Sequence, residues 1–410
     1  MQLVLALVMQ VLVIRMAGSG EETDAYVAAL ALPLILQSVV ATALQNVWLP
    51  KLAMATAADW PRLVRISLGQ ALIWFGGAAL AIGLTAPLWS PLLFPGLRAE
   101  QLALTNRLLL LMLPGSVFSG AFALLAVAGR SRGRFLLVEA VPLAMALAAT
   151  VLTPAALRWL GIEGAAWLFS LRSFISALSL WSALRLGMPI LASSPERRDA
   201  ARSALLLLAG SSIYKLGPLV DRFWTSQGPV GSLTLYNLAI AGAGAVATVL
   251  ERAISMPVIP GLSRLWQAED TAGFRRAYRG VLVRIFGLML PVTLALVLLR
   301  EPTTMMAGSL LAIAPAKAIM IFWVGAALVG TIVAGAAGST VASAFYAMGD
   351  TVTPVRIGVA GFVFGLGLKA VGFLAFGVVG LALATSAYYI FNFSVMAILL
   401  ERRLNECNVS

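Results

Sequence analysis

The stretch Leu102–Gly129, LALTNRLLLLMLPGSVFSGAFALLAVAG, carries one charged side chain, Arg107, near its start and is otherwise almost wholly apolar. As a helix it is about 40 Å long at ~1.5 Å per residue, more than the ~30 Å hydrocarbon core of a bilayer. Comparable stretches recur along all 410 residues, which are 60% hydrophobic and only 11% charged, with a mean hydropathy of +0.95. Soluble domains are nearer half apolar and a quarter charged, so that class is excluded. The reading is an all-α membrane protein of about twelve transmembrane helices. They fall at roughly 1–17, 24–49, 66–94, 102–129, 134–157, 163–187, 202–224, 232–259, 278–300, 318–347, 354–375 and 378–400.

The chain has no histidine, and its one cysteine is Cys407. Zinc and haem ligation, Ser-His or Cys-His catalysis and a disulfide framework therefore fall away. None of the four lysines (Lys51, Lys215, Lys317 and Lys369) ends a Gly-rich phosphate loop, so no ATP motor is expected. Neither an enzyme nor a bound cofactor is expected. The net charge of +12 is spread in short clusters between apolar stretches and forms no nucleic-acid patch. Those clusters follow the even-numbered spans: Lys51, Arg62 and Arg65; Arg130, Arg132 and Arg134; Arg197, Arg198 and Arg202; Arg275, Arg276 and Arg279. By the positive-inside rule both termini lie in the cytoplasm. The segment Met1–Ile14 lacks a basic leader, so a cleaved signal peptide is not expected. Its shortness implies either a stunted first helix or a start upstream.

The sequence repeats itself. Tyr26 and Trp48-Leu49-Pro50-Lys51-Leu52, moved by 210 positions, fall on Tyr236 and Val258-Ile259-Pro260-Gly261-Leu262, with Arg65 over Arg275. Leu160-Gly161-Ile162-Glu163-Gly164-Ala165 falls on Phe376-Gly377-Val378-Val379-Gly380-Leu381 at a shift of 216. Two six-helix lobes follow, 1–192 and 202–410, joined by a cytoplasmic linker at 193–201. An even helix count makes the repeat parallel, as in alternating-access transporters. Pro33, Pro114, Pro142, Pro218, Pro257 and Pro291 fall inside spans and permit kinks, while Gly358, Gly361 and Gly365 permit close packing.

Charge inside the membrane costs at least ~2.5–3.5 kcal/mol unless paired or wetted, so it marks function. The candidates are Glu139, Arg172, Lys215, Asp221, Arg222, Glu251, Arg252 and Lys369, with Arg15 and Asp24 flanking the first external turn. Lys215 and Lys369 lie about 20 Å deep along their spans at ~1.5 Å per residue. Arg15, Asp24, Arg172, Lys215, Glu251 and Arg252 are the candidate substrate-binding residues. For Glu139 and Arg222 structural pairing is the stronger expectation. A cavity with surplus cations suits an anionic group such as a phosphate or diphosphate on a lipid.

Several motifs resemble one known family. They are Gly18-Ser19-Gly20-Glu21-Glu22-Thr23-Asp24-Ala25-Tyr26, Leu219-Val220-Asp221-Arg222, Ala344-Phe345-Tyr346-Ala347-Met348-Gly349-Asp350 and Gly377-Val378-Val379-Gly380-Leu381. The chain is similar to the MviN/MurJ-type lipid II flippases of the multidrug/oligosaccharidyl-lipid/polysaccharide exporter superfamily. The resemblance implies alternating access by two lobes in a bacterial cytoplasmic membrane. A polyprenyl-diphosphate-linked sugar would be moved between leaflets without ATP, on the membrane potential or an ion gradient. The partners implied are membrane lipid and that substrate, with no nucleic acid. The family's paired arginines of helix 2 are replaced by Gln37-Ser38, and its other cavity arginines would fall at Met9 and near Ala239 or Ile240. Lys215, Arg252 and Arg172 are candidate replacements. Some members bind sodium where this chain has Asp221, Gly365, Lys369 and Thr385. The expectation is that Lys369 acts as a tethered cation paired with Asp221, making transport sodium-independent. A cation-coupled multidrug exporter and a transport-inactive cell-wall scaffold remain the alternatives.

Overall fold

A computed structural model describes residues 2–211 and 213–406, without the side chains of 209–214; Met1 and Cys407 lie outside the described residues. Among the described residues there are helices and turns but no strands. Among the described residues eight helical stretches, 352–406 taken as one, are long and apolar enough to cross a membrane. Backbone contacts divide the chain into two compact units, Met1–Thr234 and Leu235–Ser410.

The first unit begins with α1 (Gln2–Ala17) and α2 (Glu21–Ala53). It continues with α3 (Trp60–Leu93), α4 (Ala99–Ser131), α5 (Phe135–Leu160) and α6 (Ile162–Ala183), then the shorter α7 (Pro195–Ser211) and α8 (Gly217–Ser226). Lipid tails are as apolar as leucine, so burial alone does not drive these helices together; close packing does. A Cβ at Gly115 of α4 would strike Ser170 of α6, and one at Gly120 would strike the Phe75 ring of α3. Trp48 is fully buried, and its indole N–H donates to Gln70 Oε1 at 2.8 Å. Pro114 and Pro142 sit inside unbroken helices.

The second unit holds α9 (Ser232–Gln267), which starts at the boundary, then α10 (Thr271–Leu298), α11 (Arg300–Leu311) and α12 (Pro315–Ala347). α13 (352–375) and α14 (378–406) follow, joined at Phe376–Gly377. Gly361 packs on Asn392, Gly365 on Tyr388 and Gly372 on Gly380, so the pair is an antiparallel hairpin seamed by glycine. Gly358, expected on that seam, faces open space instead.

This hairpin has a counterpart in the first unit. Gly161, between α5 and α6, holds φ 57° and ψ −148°, while Gly377 holds φ 59° and ψ −141°. Only glycine takes such values without strain. Gly164 lies against the Ala156 backbone as Gly380 lies against that of Gly372. All three pairs, Gly161 with Gly377, Gly164 with Gly380 and Ala156 with Gly372, are related by the shift of 216.

Three local expectations need correction. The stretch 202–224 is not one helix, because a 3-10 turn at Ile213–Leu216 separates α7 from α8 and Pro218 lies at the α8 start. Helix α7 already begins at Pro195, so the chain is helical through most of the expected linker. α11 was not expected, although Pro302 and Glu301 in its first turn are ordinary helix-start residues.

Candidate functional site

Two of the long helices are interrupted by a widened, π-type turn, Leu36–Ala41 in α2 and Glu251–Ser255 in α9. Such turns free carbonyls from the i to i+4 ladder and cluster at functional sites. In the first, the Lys215 ammonium donates to the Ser38 carbonyl at 3.0 Å, and the Thr42 hydroxyl donates to the same oxygen at 2.8 Å. Beside it, Gln37 Nε2 donates to Ser119 Oγ at 2.6 Å, and Ser119 meets Ser173 Oγ at 3.3 Å. The lysine thus comes from the break between α7 and α8 and places its charge against the segment where Gln37-Ser38 stand. Because that break is not α-helical, depth counted at 1.5 Å per residue does not apply to Lys215.

The second turn carries its own charges. Glu251 is half-buried and Arg252 exposed, and among the described residues neither side chain has an ion-pair or hydrogen-bond partner. Ser255 ties the turn to α12 through Thr340 Oγ1 at 2.8 Å. Pro257 falls in a short 3-10 turn immediately after it.

The remaining candidates take other places. Arg172 of α6 is half-buried, with its guanidinium 6.0 Å from the Phe169 ring centre. Arg15 is exposed at the end of α1. Asp24 is buried, and both its oxygens are engaged: one accepts from the Gly231 amide at 2.6 Å, the other from the Thr234 amide and hydroxyl at 2.9 and 2.6 Å. It therefore fastens the start of α9. Glu139 pairs with Arg130 at 3.0 Å, as expected of a structural charge. Asp221 and Arg222 are adjacent and buried in the first unit, Lys369 and Thr385 buried in the second. Lys369 continues the α13 seam of Gly361, Gly365 and Gly372, and Thr385 Oγ1 lies 3.4 Å from the Tyr236 hydroxyl. Among the described residues no cluster of His, Cys, Asp or Glu could hold a metal.

Residues 14–408 match the lipid II flippase MurJ family. The chain belongs to that family. It is accordingly a multi-pass membrane transporter, a flippase for a lipid-linked precursor. A lipid II flippase MurJ in an inward closed conformation aligns at a TM-score of 0.83 and 17% identity, over 98% of this chain and 86% of that one. An inward-facing multidrug resistance MATE transporter of the MOP superfamily aligns at 0.80 and 14%, over 100% and 96%. A MOP superfamily transporter from Pyrococcus furiosus, described as having a binding pocket of reversed polarity, aligns at 0.57 and 15%, over 99% and 96%. At these identities the structures share a fold. No curated protein matches the sequence.

The Gln37–Ser119–Ser173 chain and the Tyr236–Thr385 contact were not read from sequence. Ser116, Ser119, Ser170 and Ser173 recur at helical spacing in otherwise apolar helices, which is the one signal that points to the first of them.

Proposed function

We propose that this flippase moves a polyprenyl-diphosphate-linked oligosaccharide across the bacterial inner membrane by alternating access, gripping the diphosphate with Lys215, Arg252 and Arg172. The observation that carries the reading is the Lys215 ammonium lodged against Ser38, at the position whose usual arginines this chain lacks. A cation on a flexible stem at a widened turn can leave a carbonyl for a phosphate oxygen, which offers a full charge in its place. Twelve spans in two parallel six-helix lobes, with cytoplasmic termini, complete the reading. The matched conformations of Gly161 and Gly377 support the repeat. Energy comes from the membrane potential or an ion gradient. Lys369 serves as a tethered cation on α13, so rates in sodium and in choline buffers should agree; sodium-dependent transport contradicts that part.

Native mass spectrometry of the gently solubilised protein tests the substrate directly. A polyprenyl-diphosphate lipid should co-purify and be depleted in Lys215→Ala. Its absence from a folded sample supplied with precursor overturns the reading. A cationic drug as cargo suits an acidic cavity, which these cations do not provide.

A further inference from the structure

We propose that the outer face of α10 and α12 binds an anionic phospholipid of the surrounding bilayer, with its phosphate at Arg279 and one acyl chain along α10. The inference rests on the chain being a membrane protein and not on the substrate site.

A groove of about 700 Å³ runs up this face, lined by Arg279, Leu282, Phe286, Leu290, Thr293 and Val333. Arg279 is the one charged residue lining it. From Arg279 to Thr293 the helix rises about 21 Å, enough for the ~15 Å of hydrocarbon in one leaflet. Gly287 leaves its floor open, with nothing within 4 Å of where a Cβ would stand. Arg275 and Arg279 share the single carboxylate of Glu401, at 3.2 and 2.7 Å, so the mouth keeps surplus positive charge. A guanidinium has five N–H donors, and those of Arg279 not turned to Glu401 remain for a phosphate.

The first unit carries a smaller groove on its matching face. There the apolar face of α3, α4 and α6, with Leu72, Phe118, Phe174 and Trp181, bounds about 210 Å³, and Met188 and Pro189 of the chain itself complete the lining. Arg65 fastens that strap, donating from Nε to the Met188 carbonyl at 2.6 Å and accepting at its own carbonyl from the Ile190 amide at 3.0 Å. Arg65 is the repeat partner of Arg275. In the second unit the matching stretch stays helical to Glu406, and among the described residues no such strap forms. An apolar groove with a cationic mouth at a membrane surface is the chemistry that holds an anionic lipid.

The test is native mass spectrometry with added phosphatidylglycerol or phosphatidylcholine of identical chains. Wild type should retain phosphatidylglycerol about fivefold better, the weight of one basic side chain at a membrane surface. Arg279→Gln should remove that preference, and Gly287→Leu, which fills the groove without touching the charge, should weaken retention of both lipids. Circular dichroism checks that each variant stays helical. Equal retention of the two lipids by wild type, or unchanged retention in both variants, overturns the proposal. So does displacement of phosphatidylglycerol by undecaprenyl phosphate at lower concentration, which would give the groove to the transported lipid. Lys215→Ala should leave phosphatidylglycerol retention unchanged, so failure of the substrate site and failure of the groove are read separately.

Discussion

The widened turns of α2 and α9 solve one problem in two ways. At the shift of 210, Glu251 falls on Ala41, so the second turn begins where the first ends. The α9 turn carries its own charged side chains, Glu251 and Arg252, while the α2 turn carries none and receives Lys215 from the break between α7 and α8. Each unit thus presents a cation beside a loosened stretch of helix, one intrinsic and one imported. A cation beside such a turn therefore need not lie on the same helix, because a neighbouring helix end can supply it.

The strongest way to break this comparison is Lys215→Ala. It should lower affinity for a diphosphate lipid tenfold or more, as loss of a charged hydrogen bond worth ~1.5–3 kcal/mol requires. Arg252→Gln should weaken it less, about fivefold, since no neighbouring group among the described residues orients its exposed guanidinium; equal losses would make the two turns equivalent. Titration with a short-chain prenyl diphosphate measures both.

The glycine hairpins sharpen the comparison by asking whether the two halves are also alike in energy. Gly161→Ala and Gly377→Ala should each destabilise by ~1–2 kcal/mol, since both residues hold positive φ and a Cβ there is strained. Thermal unfolding in detergent checks that the two penalties match. Ser119→Ala should cost about 1 kcal/mol through the lost Gln37 bond, again by thermal unfolding.

The smallest effect concerns the start of α7, upstream of Lys215. Arg62 donates to Glu196 at 2.8 Å and holds its carboxyl at about 2, below its ordinary 4.5. Because the folded value is depressed, the stabilisation is complete above about 4.5 and is lost as pH falls through about 2. Protection factors of the first α7 amides, corrected for the intrinsic pH dependence of exchange, should fall as pH drops through that window in wild type and stay level in Glu196→Gln.

Most of the fold was legible because a span announces itself by length and apolarity, and the Gly-Val-Val-Gly motif marked the turn at Gly377. The interruptions were not. Leu36–Ala41 holds no proline or glycine to mark a break, and whether a turn closes at i+4 or i+5 depends on what packs beside it. Gly217-Pro218 did signal the break that frees Lys215, but as a helix start and not as a kink. The partners of Asp24 lie more than 200 positions away, at Gly231 and Thr234, and no local pattern points to them. Which face each charge takes was equally hidden, since helices that are apolar all round have no marked polar side.

The central claim is tested most directly by flipping in sealed proteoliposomes. A fluorescent polyprenyl-diphosphate sugar is placed in one leaflet and its arrival in the other followed by chemical quenching, with no ATP present. Wild type should carry the lipid across under an imposed potential, and Lys215→Ala, reconstituted to the same level, should be slower by tenfold or more. No movement by wild type, or undiminished movement by the variant, contradicts the account.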